Sequence, residues 1–188
     1  MNLFFFGGTF NPPHIGHYKI AEKCLNIADK VLVIPNNLSP ENKLLQTEAF
    51  HRLEMLKILF KNTDVIIDEF EINSNQKNYT IHTVNYLVEK YKDYKITMVI
   101  GLDQLKKFNK WHQFEKIKET VDILCFNRGN IDISSDVYKT HMIDKNFHIN
   151  VSSTMIRDAL KHREENKIIE YLNDDVLNYI KKNNLYVN

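Results

Sequence analysis

A short apolar run, Leu3-Phe4-Phe5-Phe6, ends directly in Gly7-Gly8, and a helical pattern begins soon after, near His17. A buried strand that turns sharply into a helix is the opening unit of an alternating β–α chain. The rest of the sequence keeps that alternation. Strands are predicted over residues 3–6, 31–34, 65–67, 96–100, 123–126 and 148–151. Helices are predicted over 17–28, 48–60, 81–91, 114–119, 153–161 and 174–182. Leu53, Leu56 and Phe60 give one helix its apolar stripe, and Val84, Leu87, Val88 and Tyr91 give another. The expected fold class is α/β: a Rossmann-like, doubly wound parallel sheet with helices on both faces. Ligands then bind beyond the carboxyl ends of the strands. The loop-like stretches at 36–47 and 127–146 each follow a strand, so both are expected to shape that site.

The 188 residues suit one domain spanning 1–188, with no repeat, low-complexity tract or linker to divide it. A formal net charge of +1 supplies no basic field for nucleic acid, and pairs such as Lys106-Lys107 read as solvated faces. No apolar run approaches the ~20 residues of a membrane span, and no signal-like segment precedes the first strand. Cys24 and Cys125 lie far apart within apolar patterns and read as reduced core residues. These features describe a cytoplasmic chain with neither nucleic-acid nor membrane partners. Its oligomeric state is left open between monomer and homodimer.

Five of the nine Gly and Pro residues fall between Gly7 and Gly16, in the run Gly7-Gly8-Thr9-Phe10-Asn11-Pro12-Pro13-His14-Ile15-Gly16-His17. Glycines let backbone approach a ligand, and the helix start beyond offers unpaired N–H groups where an anion can settle. His14 and His17 can converge on that anion. A Gly-Gly turn alone is ordinary punctuation. The glycines lack the spacing of the dinucleotide fingerprint, and no Gly-Lys-Ser/Thr ending makes this a P-loop. Zinc would need a third ligand that no recognised spacing supplies. The loop is read as a phosphate holder.

A second chemical segment is Val151-Ser152-Ser153-Thr154-Met155-Ile156-Arg157. Ser152 or Ser153 alone would be an ordinary helix cap. Arg157, one turn into the helix, adds a guanidinium near the same end, and the set makes a second anion cradle. Only four of the 25 basic residues are Arg, which points to sites that need a planar fork. Arg128, just past the strand at 123–126, stands at the edge where ligands sit. Arg163 reads as solvated, and Arg52 could equally be a salt-bridge partner on a helix face.

The pairing of GG-T-F with H-x-G-H resembles the nucleotidyltransferase superfamily. The wider set resembles the bacterial nicotinate-nucleotide adenylyltransferases within it. That set is Gly7–His17, Phe50-His51-Arg52-Leu53-Glu54-Met55-Leu56, Tyr79-Thr80 with Thr83, Ile100-Gly101-Leu102-Asp103 with Trp111, Val151–Arg157, and the ending Asn184-Leu185-Tyr186. The matching pieces span nearly the whole chain. Two departures stand out. Asn11 occupies a position where the family often has Asp, and Ser39-Pro40-Glu41-Asn42-Lys43 replaces a common Pro-Pro-His-Lys.

The resemblance implies adenylyl transfer from ATP to nicotinate mononucleotide, giving nicotinate adenine dinucleotide and pyrophosphate, a step in making NAD. It implies His14, His17 and Arg157 as the catalytic groups. ATP would be held by Gly7, Gly8, Thr9, Phe10, Gly16, Lys43, Gly101, Asp103, Ser153, Thr154 and Ile156, and the mononucleotide by Thr80, Trp111 and Arg128. Mg2+ is expected to arrive with ATP, bridging its phosphates and needing no protein cage. Two other readings stay open: transfer to a different phosphate acceptor, as in phosphopantetheine adenylyltransferases, and a nucleotide-binding regulator without turnover.

Overall fold

The computed structural model describes residues 1–37, 47–74, 78–126, 143–144 and 149–187. Six strands form one parallel sheet: β1 (Asn2–Gly8), β2 (Lys30–Pro35), β3 (Val65–Ile67), β4 (Lys95–Gly101), β5 (Asp122–Phe126) and β6 (Ile143–Asp144). Their order across the sheet is β3-β2-β1-β4-β5-β6. The chain therefore works outward from β1 to one edge, returns, and continues outward from β4 to the other. The direction reverses between β1 and β4, and beyond their carboxyl ends a crevice opens for ligands.

The helices are α1 (Ile15–Leu25), α2 (Ala49–Leu59), α3 (Thr80–Lys90), the single turn α4 (Leu102–Leu105), α5 (Phe114–Thr120), α6 (Ser153–Lys161) and α7 (Asp174–Lys182). Side chains alternate across each strand, so both faces of the sheet are covered. Phe4, Phe6, Val31, Val33, Val99, Leu124 and Phe126 join a core with α1, α2, α6 and α7. Leu3, Phe5, Leu32, Ile34, Met98, Ile100 and Ile123 join another with α3, α4 and α5. Cys24 belongs to the first core and Cys125 to the second; both are free, and burial pushes each thiol up to about 12. Among the described residues, no helix is long and apolar enough to cross a membrane.

Most expected elements are present, with differences that have local causes. The helix expected over 17–28 starts at Ile15, because the extended backbone of His14 supplies its N-cap, and it ends at Leu25. Val88, expected in the stripe of α3, is 41% exposed, while Ile81, Val84 and Leu87 carry the burial. The strand expected over 148–151 is absent from 149–151. There the Val151 N–H donates to the Ile149 carbonyl, a tight turn that removes a donor from strand pairing. Ile149 and Val151 pack instead into the first core, and β5 takes β6 as its neighbour.

Candidate active site

The cavity at the reversal point has a volume of about 440 Å³ and is lined from both sides of the β1–β4 seam. Gly7, Gly8, Thr9, Phe10 and His17 form one side, with Gly101 and Asp103 across from them. Thr80 and Trp111 line it as well, along with Glu71, Asn78, Tyr79 and His112. Sequence elements more than ninety positions apart thus meet because β1 and β4 are neighbours.

The first loop owes its shape to contacts on nearly every residue. Phe10 has a φ of 51°, a left-handed backbone that costs a non-glycine residue energy. Its ring is buried edge-on between Phe6 and His17, at centroid distances of 5.5 and 5.0 Å, which offsets that cost. Gly8 leaves room for that ring, since a Cβ there would lie 3.1 Å from it. Behind the loop, Asn36 donates from its backbone N–H to the Gly8 carbonyl and from its side chain to the Thr9 hydroxyl. Arg52 donates from Nη1 to the Thr9 carbonyl at 2.8 Å. Farther along, Ser153 donates its hydroxyl to the Pro12 carbonyl at 2.9 Å, and Arg157 donates from Nη1 to the Asn11 carbonyl at 2.7 Å.

His14 and His17 come together as stacked rings, with centroids 3.7 Å apart. They are 1% and 7% exposed, and only His17 lines the cavity. The His14 backbone N–H donates to His17 Nδ1 at 3.1 Å. That bond makes Nδ1 an acceptor, so the neutral ring carries its proton on Nε2. Gly16 allows the stack, because a Cβ at that position would sit 3.0 Å from the His14 ring and 3.1 Å from Val151.

The start of α6 closes on the same loop. Ser152 is its N-cap, accepting from the Met155 N–H at 3.2 Å. The remaining first-turn N–H groups, on Ser153 and Thr154, have no intrahelical acceptor. Arg157 spans helix and loop, with Nη2 donating to the Thr154 hydroxyl and Nη1 to Asn11. Ile156 is different from its neighbours. Its side chain is fully buried in the core and its N–H donates to the Ser152 carbonyl.

At the other end of the cavity, Thr80 is the first residue of α3, and it does not cap that helix through its side chain. Trp111 is half-buried and meets the buried Phe108 ring edge-on at 5.3 Å. Gly101 caps α4, and Asp103 is exposed in its first turn. Lys43 and Arg128 lie outside the described residues. Glu71 was not singled out from sequence. It is 9% exposed, accepts from the Thr83 hydroxyl, and burial raises its carboxyl above the usual range while that bond opposes the rise. Arg52 is the other surprise. It is fully buried with no ion pair among the described residues, which removes the reading of it as a helix-face salt-bridge partner.

Residues 5–159 match the family described as Cytidylyltransferase-like. A curated relative from Aliarcobacter butzleri (strain RM4018), "Probable nicotinate-nucleotide adenylyltransferase", is 32% identical over 95% of this chain and 96% of its own length. One of the same name from Borreliella afzelii (strain PKo) is 36% identical over 100% and 97%. The fold is similar to a solved structure of Plasmodium falciparum nicotinic acid mononucleotide adenylyltransferase complexed with NaAD. The TM-score is 0.86 at 22% identity, covering 98% of this chain and 97% of that one.

Proposed function

The chain belongs to the cytidylyltransferase-like family, among its nicotinate-nucleotide adenylyltransferases, and from that premise we propose how its cavity performs the transfer. The reaction moves the adenylyl group of ATP to nicotinate mononucleotide, giving nicotinate adenine dinucleotide and pyrophosphate. One observation carries the reading: a single cavity joins a phosphate-type loop with His17 to an aromatic and hydroxyl end at Trp111 and Thr80.

The acceptor phosphate is already an anionic nucleophile. One of its oxygens attacks the α-phosphorus of ATP, and the bond from that phosphorus to the bridging oxygen breaks. The electron pair leaves with pyrophosphate, so neither a general base nor a covalent enzyme intermediate is needed. The barrier lies in bringing two polyanions together and in the charge that gathers on the leaving group. Holding the reactants in line is worth roughly 7–11 kcal/mol, and preorganised donors supply much of the rest.

In this reading His17 offers Nε2–H to the phosphates at the reacting centre, with His14 stacked behind it to fix its plane. The loop Gly7, Gly8, Thr9 and Phe10, with Gly16, admits the nucleotide closely. The N–H groups of Ser153 and Thr154 and the fork of Arg157 take the outer phosphates, while Ile156 anchors that helix in the core. Gly101 and Asp103 face the ribose hydroxyls. Lys43 and Arg128 remain proposed contacts of ATP and of the mononucleotide. A divalent cation, which we take to be Mg2+, would come with ATP, would be held by the substrate's phosphates rather than by a protein cage, and would supply charge neutralisation there. The donors at the phosphate end are N–H groups and imidazole, suited to phosphate oxygens. The two free, buried cysteines support a reducing, cytoplasmic setting.

Acceptor choice tests this assignment. Nicotinate and nicotinamide differ by a carboxylate against an amide of nearly the same shape, so apolar packing cannot separate them. The Thr80 hydroxyl and the first N–H groups of α3 favour the carboxylate, and an opposed polar group costs roughly 1–3 kcal/mol. The nicotinate form should therefore lead by at least about tenfold in kcat/KM. Trp111→Ala should weaken both acceptors, because stacking does not sense the carboxylate, and Thr80→Val should narrow the gap. Equal use of both mononucleotides by the unmodified protein would refute the acceptor assignment and leave adenylyl transfer standing.

A further inference from the structure

Two motif residues have no part in the chemistry above, yet both reach the phosphate loop from behind. Arg52 sits on the buried stripe of α2 with Met55, Leu56 and Leu59, a position that an apolar residue would ordinarily fill. Its Nη1 donates to the Thr9 carbonyl, and among the described residues its Nε and Nη2 meet no acceptor. A buried guanidinium that meets no carboxylate among the described residues is costly. What it does reach is the loop. It satisfies the one carbonyl of Thr9 and leaves a full positive charge behind the phosphate site, where low dielectric screens it weakly.

Tyr186 approaches the same loop from the far end of the chain. Its φ of 65° lies in the left-handed region that a residue of this size seldom adopts. Its hydroxyl donates to Asn11 Oδ1 at 2.6 Å and also meets the Thr47 side chain. Asn11 is itself buried, and its carbonyl accepts from Arg157. Asn11 is thus gripped at its side chain by Tyr186 and at its backbone by Arg157, two residues before the paired prolines end and three before His14.

We propose that Arg52 and Tyr186 are positioning residues: they brace the phosphate loop at Thr9 and Asn11 and keep it in the shape that receives the triphosphate. The proposal rests on the function assigned above, since it concerns the ATP half of that site. It requires that loss of either contact damage ATP use far more than acceptor binding.

The test uses the full chain with Tyr186→Phe, Arg52→Met and Arg52→Lys. For each, kcat and the KM for ATP and for nicotinate mononucleotide are measured, with the affinity for a non-hydrolysable ATP analogue by calorimetry and the melting temperature. Tyr186→Phe removes the hydroxyl that holds Asn11 and should lower kcat/KM for ATP about tenfold, with acceptor KM changed less than about twofold. Arg52→Met should lose about 10²-fold in ATP-analogue affinity, and Arg52→Lys, which keeps charge and one donor, should recover part of it. Should Arg52→Met fail to fold, Tyr186→Phe and Arg52→Lys decide. ATP parameters within twofold of the unmodified protein, or equal losses for both substrates that track melting temperature, would overturn the brace. An unmodified protein that binds no ATP analogue would instead sink the function on which it rests.

Discussion

His17 receives a backbone N–H at Nδ1, which leaves Nε2 as the proton-bearing nitrogen of its neutral ring. A donor set before the reaction costs no reorganisation during it, so His17→Ala should lower kcat by ~10²–10³-fold. The ring is also packed against His14 and Phe10, so the same variant should melt at a lower temperature. Turnover near that of the unmodified protein in a folded His17→Ala variant would remove the donor role. Glu71 yields a pH prediction of definite sign. Burial holds its folded carboxyl above the usual value, so the native state keeps the proton to higher pH than the unfolded chain does. Its contribution to stability is fully present below the ordinary glutamate range and is lost as pH rises through the raised folded value. Glu71→Gln keeps an acceptor for Thr83 and cannot ionise. Its stability relative to the unmodified protein should therefore rise as pH goes from ~4 toward neutrality. Denaturation midpoints measured across that range check this, and parallel curves would contradict it.

At the scale of elements, α6 and the first loop behave as one unit, joined by Ser153 to Pro12 and by Arg157 to Asn11 and Thr154. Arg157→Lys keeps the charge but replaces the planar fork that spans two acceptors with a single ammonium. It should raise the KM for ATP and leave the acceptor KM nearly unchanged, as initial rates at varied concentrations of each substrate would show. An effect confined to the acceptor would assign α6 to the other half of the cavity. The strands and most helices could be read from sequence because apolar runs and stripes carry their own period. The loop could be read because its glycines, prolines and histidines are crowded into one stretch. Arg52 could not, since a charge within a helix argues for the outer face, and here it occupies the buried stripe. The contacts of Tyr186 and Asn36 escaped for another reason. Their partners lie 175 and 27 positions away, and no local pattern encodes such contacts. The strand expected over 148–151 is absent from 149–151 because apolar Ile149 and Val151 pack among the helices of the first core.

Across the whole molecule, the reversal of strand order between β1 and β4 decides where everything else can matter. It brings Gly7 and Gly8 at the end of one strand beside Gly101 at the end of the other, and the cavity opens between them. Two cores, one on each face, hold that seam, so the site stands on the two central strands of the sheet. Such a frame suits two anionic substrates held in line, and transfer without a covalent step is the proposal that follows from it. It is tested most directly by incubating the purified protein with ATP, Mg2+ and nicotinate mononucleotide and measuring dinucleotide and pyrophosphate together. Direct transfer gives nicotinate adenine dinucleotide and pyrophosphate in equal amounts, with AMP and ADP absent and both products formed ~10²–10³-fold more slowly by His17→Ala. Release of AMP or ADP without dinucleotide, or no turnover by a folded protein that binds ATP, would contradict it.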